Sequence, residues 1–239
     1  MISKLKKRFS QIEFKIGASH QLMEDQLALT QLLKMFDDKV FFPLTAWSIS
    51  PKEVLHICND IIINDRKSIV EFGSGFSTIC IANLLKIKNK HASFVSIENN
   101  QLWAAELTKI LESEGLSNYV SIKVAPISDV PSKYAYEKQQ KWYDHKLVDS
   151  AIDGNQNIDL VIVDGPYGRT TPYARYTAVP FLKEKLGSDY AIFLDDTARD
   201  HEKQIASEWH KLLGGQMYDH NRYTYLTNLR GFDVSPFGN

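Results

Sequence analysis

Residues 68–78, Ser-Ile-Val-Glu-Phe-Gly-Ser-Gly-Phe-Ser-Thr, restrict the fold more than any other stretch of the chain. An apolar run passes Glu71, crosses Gly73 and Gly75, and opens into a helical pattern at Ser77 and Thr78. That order predicts a strand, a tight glycine turn and a helix start. Glycine lets a backbone approach a ligand that a Cβ would hold off, and a helix N-terminus presents N–H groups without intrahelical partners. An acid two residues before the first glycine favours a ligand with an amino group and repels a pyrophosphate.

The same order recurs downstream. After the predicted strand Ser68–Phe72 come a helix over Phe76–Leu85, a strand over Ser93–Ile97 ending at Glu98, a helix over Gln101–Glu114 closed by Gly115, and a strand over Tyr119–Val124. Ile158–Val163 and Tyr190–Leu194 are continuous apolar runs, as in strands covered on both faces. Helices are predicted over Tyr173–Leu186 and Arg199–Leu213, and Gln216–His220 with Tyr223–Asn228 suits a closing antiparallel hairpin. Such alternation specifies an α/β fold, a doubly wound, mostly parallel sheet with helices on both faces.

Upstream, Leu22, Met23, Leu27, Leu29, Leu32, Leu33 and Phe36 repeat at helical spacing. Ser50-Pro-Lys-Glu53 carries the serine cap, first-turn proline and glutamate of a helix start, and that helix runs to about Ile63. The expected organisation is an N-terminal helical extension with a substrate-side loop at 1–66, then one α/β domain at 67–239. Pro131–Gln156 breaks the rhythm. It is long and holds Tyr134, Tyr136, Trp142, Tyr143 and His145, which points to an ordered aromatic lid inserted at about 131–156.

Composition narrows the function classes. A chain of 239 residues, 44% hydrophobic, suits one globular domain with added elements. A net charge of −1 provides no field for nucleic acid, and no apolar run is long enough for a transmembrane helix. The basic start (Lys4, Lys6, Lys7, Arg8) precedes no signal-type apolar region and reads as a solvated arm. Cys58 and Cys80 lie in apolar helical patterns, as buried thiols of a reducing compartment do. A cytoplasmic location is expected.

Open parallel sheets bind ligands outside the carboxyl ends of their strands. The unusual polar residues sit there: Glu71 at the first strand, Glu98 at the second, Asp164 at the fourth, and Asp195 and Asp196 at the fifth, with Ala125-Pro126 closing the third. Glu98 follows Gly75 by 23 residues, where an acid accepts hydrogen bonds from both ribose hydroxyls of an adenosine-type ligand. NAD meets that condition too. Against NAD stand Glu71 and the missing third glycine of the dinucleotide fingerprint.

On these residues the chain resembles the class I S-adenosylmethionine-dependent methyltransferases. Glu71-Phe-Gly-Ser-Gly75 is similar to the superfamily's first motif, Val95-Ser-Ile-Glu98 to its second, and Ile158-Asp-Leu-Val-Ile-Val-Asp-Gly-Pro166 to its fourth. Pro43–Pro51 and Arg175–Pro180 look like a bacterial subgroup loosely associated with cell-surface glycan loci. The resemblance spans roughly residues 40 to 213. It implies a Rossmann-like sheet of seven strands and S-adenosylmethionine as cofactor. It implies that Gly73, Ser74, Gly75, Ser77 and Thr78 hold the methionine part, that Glu98 and Asn99 meet the ribose, and that Ala125 and Pro126 flank adenine. Many relatives place an acid against the adenine amine where this chain has Ala-Pro-Ile-Ser128, with Asp129 one position on.

Transfer to a hydroxyl requires removal of its proton. Asp164 is the candidate base by location, and His145 and His201 are alternatives suited to neutral pH. Asp164, Asp195 and Asp196 also form a candidate oxygen-donor set for Mg2+. Asp195 or Asp196 as a cap for the following helix is the plainer reading. Arg169, Arg175 and Arg199 suit an anionic substrate group, or ion pairs with neighbouring aspartates. Trp47 and Tyr167 suit a sulfonium or a sugar ring. The expected activity is O-methylation of a small molecule or a saccharide precursor, with no nucleic-acid partner and a homodimer compatible with the sequence. An NAD-dependent oxidoreductase and a non-catalytic binding domain are the other readings.

Overall fold

The computed structural model describes residues 2–36, 43–154, 157–229 and 231–237, with side chains from residue 16 onward. Residues 37–42, the end of the predicted insertion at 155–156 and the basic side chains of the first helix lie outside the described residues. Nine strands and seven α-helices follow one another among them. They are α1 (Ile2–Leu33), α2 (Pro51–Ile63), β1 (Ser68–Phe72), α3 (Phe76–Ile87), β2 (Ser93–Glu98), α4 (Gln101–Ser113), β3 (Ser121–Val124), β4 (Ile127–Asp129), β5 (Lys141–Tyr143), α5 (His145–Ala151), β6 (Ile158–Val163), α6 (Ala178–Leu182), β7 (Leu186–Leu194), α7 (Asp200–Leu213), β8 (Gln216–Asp219) and β9 (Thr224–Thr227).

Seven strands form one sheet in the order β3-β2-β1-β6-β7-β9-β8. The five strands from β3 to β7 are parallel, and β9 pairs antiparallel with β7 and β8. Strand order reverses between β1 and β6. The crossovers leaving these two strands go to opposite sides, which opens a crevice at their carboxyl ends. Gly73 follows β1 there and Asp164 follows β6.

Alternation along each buried strand feeds two cores. Ile69, Leu160, Ile162 and Phe193 pack with α2, α3 and α4 on one face. Val70, Phe72, Val161, Val163 and Leu194 pack with α5, α6 and α7 on the other. Helix α2 therefore contributes Val54, Ile57 and Ile61 to the same core as the sheet. Its start is as the sequence predicts: the Ser50 hydroxyl accepts from the Glu53 N–H at 3.2 Å, with Pro51 in the first turn.

Two expectations change. The predicted lid is part of the core. The stretch holds the β4–β5 hairpin and α5, which form the crossover from β3 to β6. Trp142 and Tyr143 are fully buried against Phe72 and, for Trp142, Phe181. A parallel connection must cover the sheet face it crosses, and aromatic residues do that here. The predicted helix Tyr173–Leu186 shrinks to α6 with a 3₁₀ turn at Lys183–Lys185, and β7 begins at Leu186, four residues before the expected Tyr190. Cys58 and Cys80 are buried free thiols, as expected.

One buried histidine gives the fold an acid limit. His56 of α2 lies among Phe193, His220, Tyr223 and Tyr225, with Nδ1 2.9 Å from the Tyr223 hydroxyl. Burial first, then the neighbouring His220 and Lys52, pushes its pKa down to about 3, against a smaller opposing pull from Asp233. The folded state thus disfavours the proton that the unfolded chain takes up near pH 6.5. This contribution to stability is complete above that pH and is lost as pH falls toward 3. Thermal melts are expected to show a falling Tm below about pH 6.5, and His56→Gln is expected to flatten that limb. An unchanged acid limb in the variant would remove His56 as its cause.

Candidate active site

Three adjoining cavities line the crevice. The first, about 430 Å³, runs along the glycine turn and is bounded by Gly73, Ser74, Gly75, Ser77, Asn100, Trp103, Trp47 and Asp164. The second, about 180 Å³, reaches Glu98, Asn99, Tyr143, Asp164, Arg175, Asp195 and Asp196. The third, about 660 Å³, opens outward between Trp47, Tyr167, Arg169, Arg199, His201 and Glu202. Asp164 lines the first two, and Trp47 lines all three.

The turn is built as tightly as its glycines allow. Gly73 has φ +96°, and a Cβ on it would sit 2.9 Å from the Gly165 nitrogen. The loops after β1 and β6 thus touch backbone to backbone, which only glycine permits. Helix α3 starts at once. The Gly75 N–H donates to Thr78 Oγ1 at 2.8 Å, while the Trp103 indole N–H donates to the Ser74 carbonyl at 2.8 Å.

Glu71 does not face the ligand space as the sequence reading expected. Pleating puts it on the face of Ile69, which α3 covers, so its carboxyl lies fully buried under the turn. It accepts hydroxyl hydrogen bonds from Ser77, Thr78 and Ser96, each at 2.5 Å. Burial raises its pKa to about 7 despite these three donors. Glu71 is a support for the glycine turn, and Thr78, fully buried, belongs to the same support. The repulsion argument against a pyrophosphate loses its force, because the carboxyl is turned away.

Glu98 does line the crevice. It accepts from the Ser74 N–H at 3.1 Å and the Asn100 N–H at 2.7 Å, which ties the second strand to the glycine turn. Burial raises its pKa and these N–H groups oppose the rise. A carboxylate has about four acceptor positions, and with the Ser74, Asn99 and Asn100 N–H groups all acting on Glu98 some acceptor capacity remains for a ligand hydroxyl. Ala125 is buried, its N–H donating to the Glu98 carbonyl, and neither it nor Pro126 lines any of the three cavities. Asp129 pairs with Lys141 on the β4–β5 hairpin, away from the crevice.

The acids after β6 and β7 converge, together with residues the sequence reading did not place in the site. Arg175 is almost fully buried, and its Nη2 bridges Asp164 Oδ1 at 3.1 Å and Asp196 Oδ2 at 3.0 Å. Its Nη1 donates to the Asp195 carbonyl at 2.9 Å. The expectation of a substrate-facing Arg175 gives way to its alternative, ion pairing with the neighbouring aspartates, although the residue still borders the second cavity. Arg222 Nε meets Asp195 Oδ1 at 3.2 Å, and Arg199 Nη1 meets Asp196 Oδ2 at 2.7 Å. Behind them Glu53 is fully buried, with no donor to either carboxyl oxygen among the described residues. Burial, then Asp195 and Asp164, pushes its pKa well up, with Arg222 opposing. Burial and Asp195 also raise Asp164, against the pull of Arg175. Glu53 and Arg222 were legible only in part: the serine cap explains Glu53 as a helix start, and its reach to Asp195 depends on how α2 docks.

Asp164, Asp195 and Asp196 each bring a carboxylate oxygen within 4.8 Å of the other two, close enough to share an ion. The donor set does not fit a divalent cation, however. Each of the three carboxylates already meets a guanidinium. Of the candidate histidines, His201 is exposed on the third cavity and rests on Tyr173. His145 opens α5 behind the core and lines none of the three cavities, so it is not a base for this crevice. Trp47 and Tyr167 meet edge to face at 4.9 Å over the outer cavity, and Arg169 is exposed on its rim.

The family model described as "Methyltransferase domain" matches residues 70–197, more than half of the chain and all of β1 to β7 except its first two residues. The chain belongs to this methyltransferase family. Its fold is that of methyltransferases of solved structure. An O-methyltransferase from Bacillus cereus, solved with SAH, is similar at 13% identity and a TM-score of 0.54, over 86% of this chain and 89% of that one. The O-methyltransferase TomG from Streptomyces achromogenes, involved in tomaymycin synthesis and solved with SAM, has 15% identity and a TM-score of 0.55, over 87% and 90%. An SAH-bound methyltransferase from Podospora anserina has 13% identity and a TM-score of 0.55, over 86% of each chain. No curated protein matches at a significant level. Among the described residues no helix is long and apolar enough to cross a membrane.

Proposed function

We propose that this methyltransferase uses S-adenosylmethionine to methylate a hydroxyl of a small molecule. The observation that carries the reading is the position of Asp164, on the wall between the glycine-turn cavity and the acid-lined cavity that opens to the outer pocket. The solved relatives with SAM or SAH bound are consistent with it.

The backbone of Gly73, Ser74 and Gly75, with Ser77 at the helix start, would hold the methionine part of the cofactor. Glu98, with Asn99 beside it, would take the ribose hydroxyls. When bound, the cofactor supplies an electrophilic methyl group on a sulfonium whose charge vanishes on transfer. The acceptor enters through the outer cavity and lies against Trp47 and Tyr167, whose apolar faces suit the C–H side of a saccharide ring. Arg169 and His201 at the rim meet its polar substituents. Orienting the acceptor hydroxyl toward the donor group would contribute about 7–11 kcal/mol of the barrier reduction. Asp164 would take the proton of that hydroxyl as its oxygen is methylated.

Ligand-induced stabilisation tests the cofactor. S-adenosylmethionine at about 100 times its Kd is expected to stabilise the fold by about 2.7 kcal/mol. NAD is expected to give no shift, because Thr78 stands where a dinucleotide fingerprint has its third glycine. A shift with NAD and none with the methyl donor would replace this reading by the oxidoreductase.

A further inference from the structure

We infer that the Arg175 guanidinium is the fixed cation of this site, standing where a divalent ion would have to sit, so that the three aspartates work without a metal. The inference rests on the methyltransferase reading above only for its activity measurement.

Geometry comes first. An ion shared by Asp164 and Asp196 would need the space between their inner oxygens, and Arg175 Nη2 occupies it at 3.1 and 3.0 Å. The guanidinium cannot easily swing away. Its Nη1 is held by the Asp195 carbonyl at 2.9 Å, its Nε by the Pro166 carbonyl at 3.4 Å, and the side chain is 4% exposed.

Charge comes second. Asp164, Asp195 and Asp196 are matched by Arg175, Arg222 and Arg199. Each aspartate thus already has a guanidinium counter-charge, and Glu202 is a further buried acid facing Arg175 and Arg199. A divalent ion would add two positive charges to a largely buried set whose cation positions are already filled by guanidiniums that do not deprotonate. Burying charge without a partner is costly.

Arg175 then acts as a positioning residue. It fixes Asp164 in one orientation at the junction of the cavities and offsets the repulsion from Asp195 and Asp196 that would otherwise keep Asp164 from working as a base. Lysine would not reproduce the arrangement, because one ammonium cannot hold two carboxylates and two carbonyls in a plane.

The experiment measures Mn2+ binding to chelator-stripped protein by electron paramagnetic resonance, beside turnover and nucleoside affinity. Wild type is expected to bind no stoichiometric Mn2+ and to turn over equally with chelator or with added Mg2+. Arg175→Ala is expected to lose at least about 100-fold in kcat, the range of a positioned base, while its Kd for S-adenosylhomocysteine stays within a few fold. Arg175→Lys is expected to stay well below wild type. Stoichiometric Mn2+ on wild type that Asp196→Asn abolishes would overturn the inference, as would an Arg175→Ala enzyme of normal kcat. Should the alanine variant not fold, the wild-type Mn2+ measurement still decides. That arm needs no activity, so a failure of the methyltransferase reading, seen as absent nucleoside binding, is recognised separately.

Discussion

Asp164→Asn is expected to lower kcat by about 10²–10⁴-fold, the contribution of a positioned general base. The exchange is nearly isosteric and keeps a hydrogen-bonding oxygen toward Arg175 Nη2, which also retains Asp196 at 3.0 Å. The glycine turn and Glu98 are untouched. The Kd for S-adenosylmethionine is therefore expected to change little, and the loss should fall on kcat rather than on cofactor binding. Isothermal titration with the nucleoside and turnover to S-adenosylhomocysteine give the two numbers. A variant that turns over normally would remove Asp164 as the base and leave His201, on the outer cavity, as the next residue to test. A wild-type protein that binds the nucleoside but methylates no hydroxyl compound would favour a binding role instead.

Trp142→Ala is expected to destabilise the fold by about 3–5 kcal/mol, the usual cost of removing a large buried aromatic ring. Its indole is fully buried between Phe72, Tyr143 and Phe181, and its N–H has no partner among the described residues. The loss is therefore one of packing alone, with a cavity left between the sheet and its helical cover. For a chain of this size that corresponds to a fall in Tm on the order of 10 °C, read in a thermal melt without any ligand. A lid residue would behave differently: KM for the acceptor would move and the melt would not. An unchanged Tm would restore the lid and displace Trp142 from the core.

The alternation of strands and helices was legible because a buried strand and a helix have different apolar periods, 2 and 3.6. Ile158–Val163 was read to the residue, and the start of α2 was readable from Ser50 and Pro51. Glu71 was misplaced although the information was present. Two residues along a strand return to the same face, and Ile69 already marked the face that α3 covers. The lid was misread for another reason: nothing local distinguishes an aromatic that covers a sheet from one that covers a ligand.

Sequence alone determined the strand–helix alternation of a doubly wound sheet, and the glycine turn, Glu98 and Asp164 at its strand ends. These follow from local pattern and from where open sheets leave space. Only the tertiary structure decided which acids are partnered. Arg175, Arg222 and Glu53 come from α2, the loop before α6 and the β8–β9 turn, far apart in sequence, and are brought to the aspartates by the packing of those elements. A charge in a strand-end loop is a ligand for substrate or metal when it stands alone and a structural partner when an opposite charge is packed against it. That distinction depends on distance through space, which no spacing along the chain records.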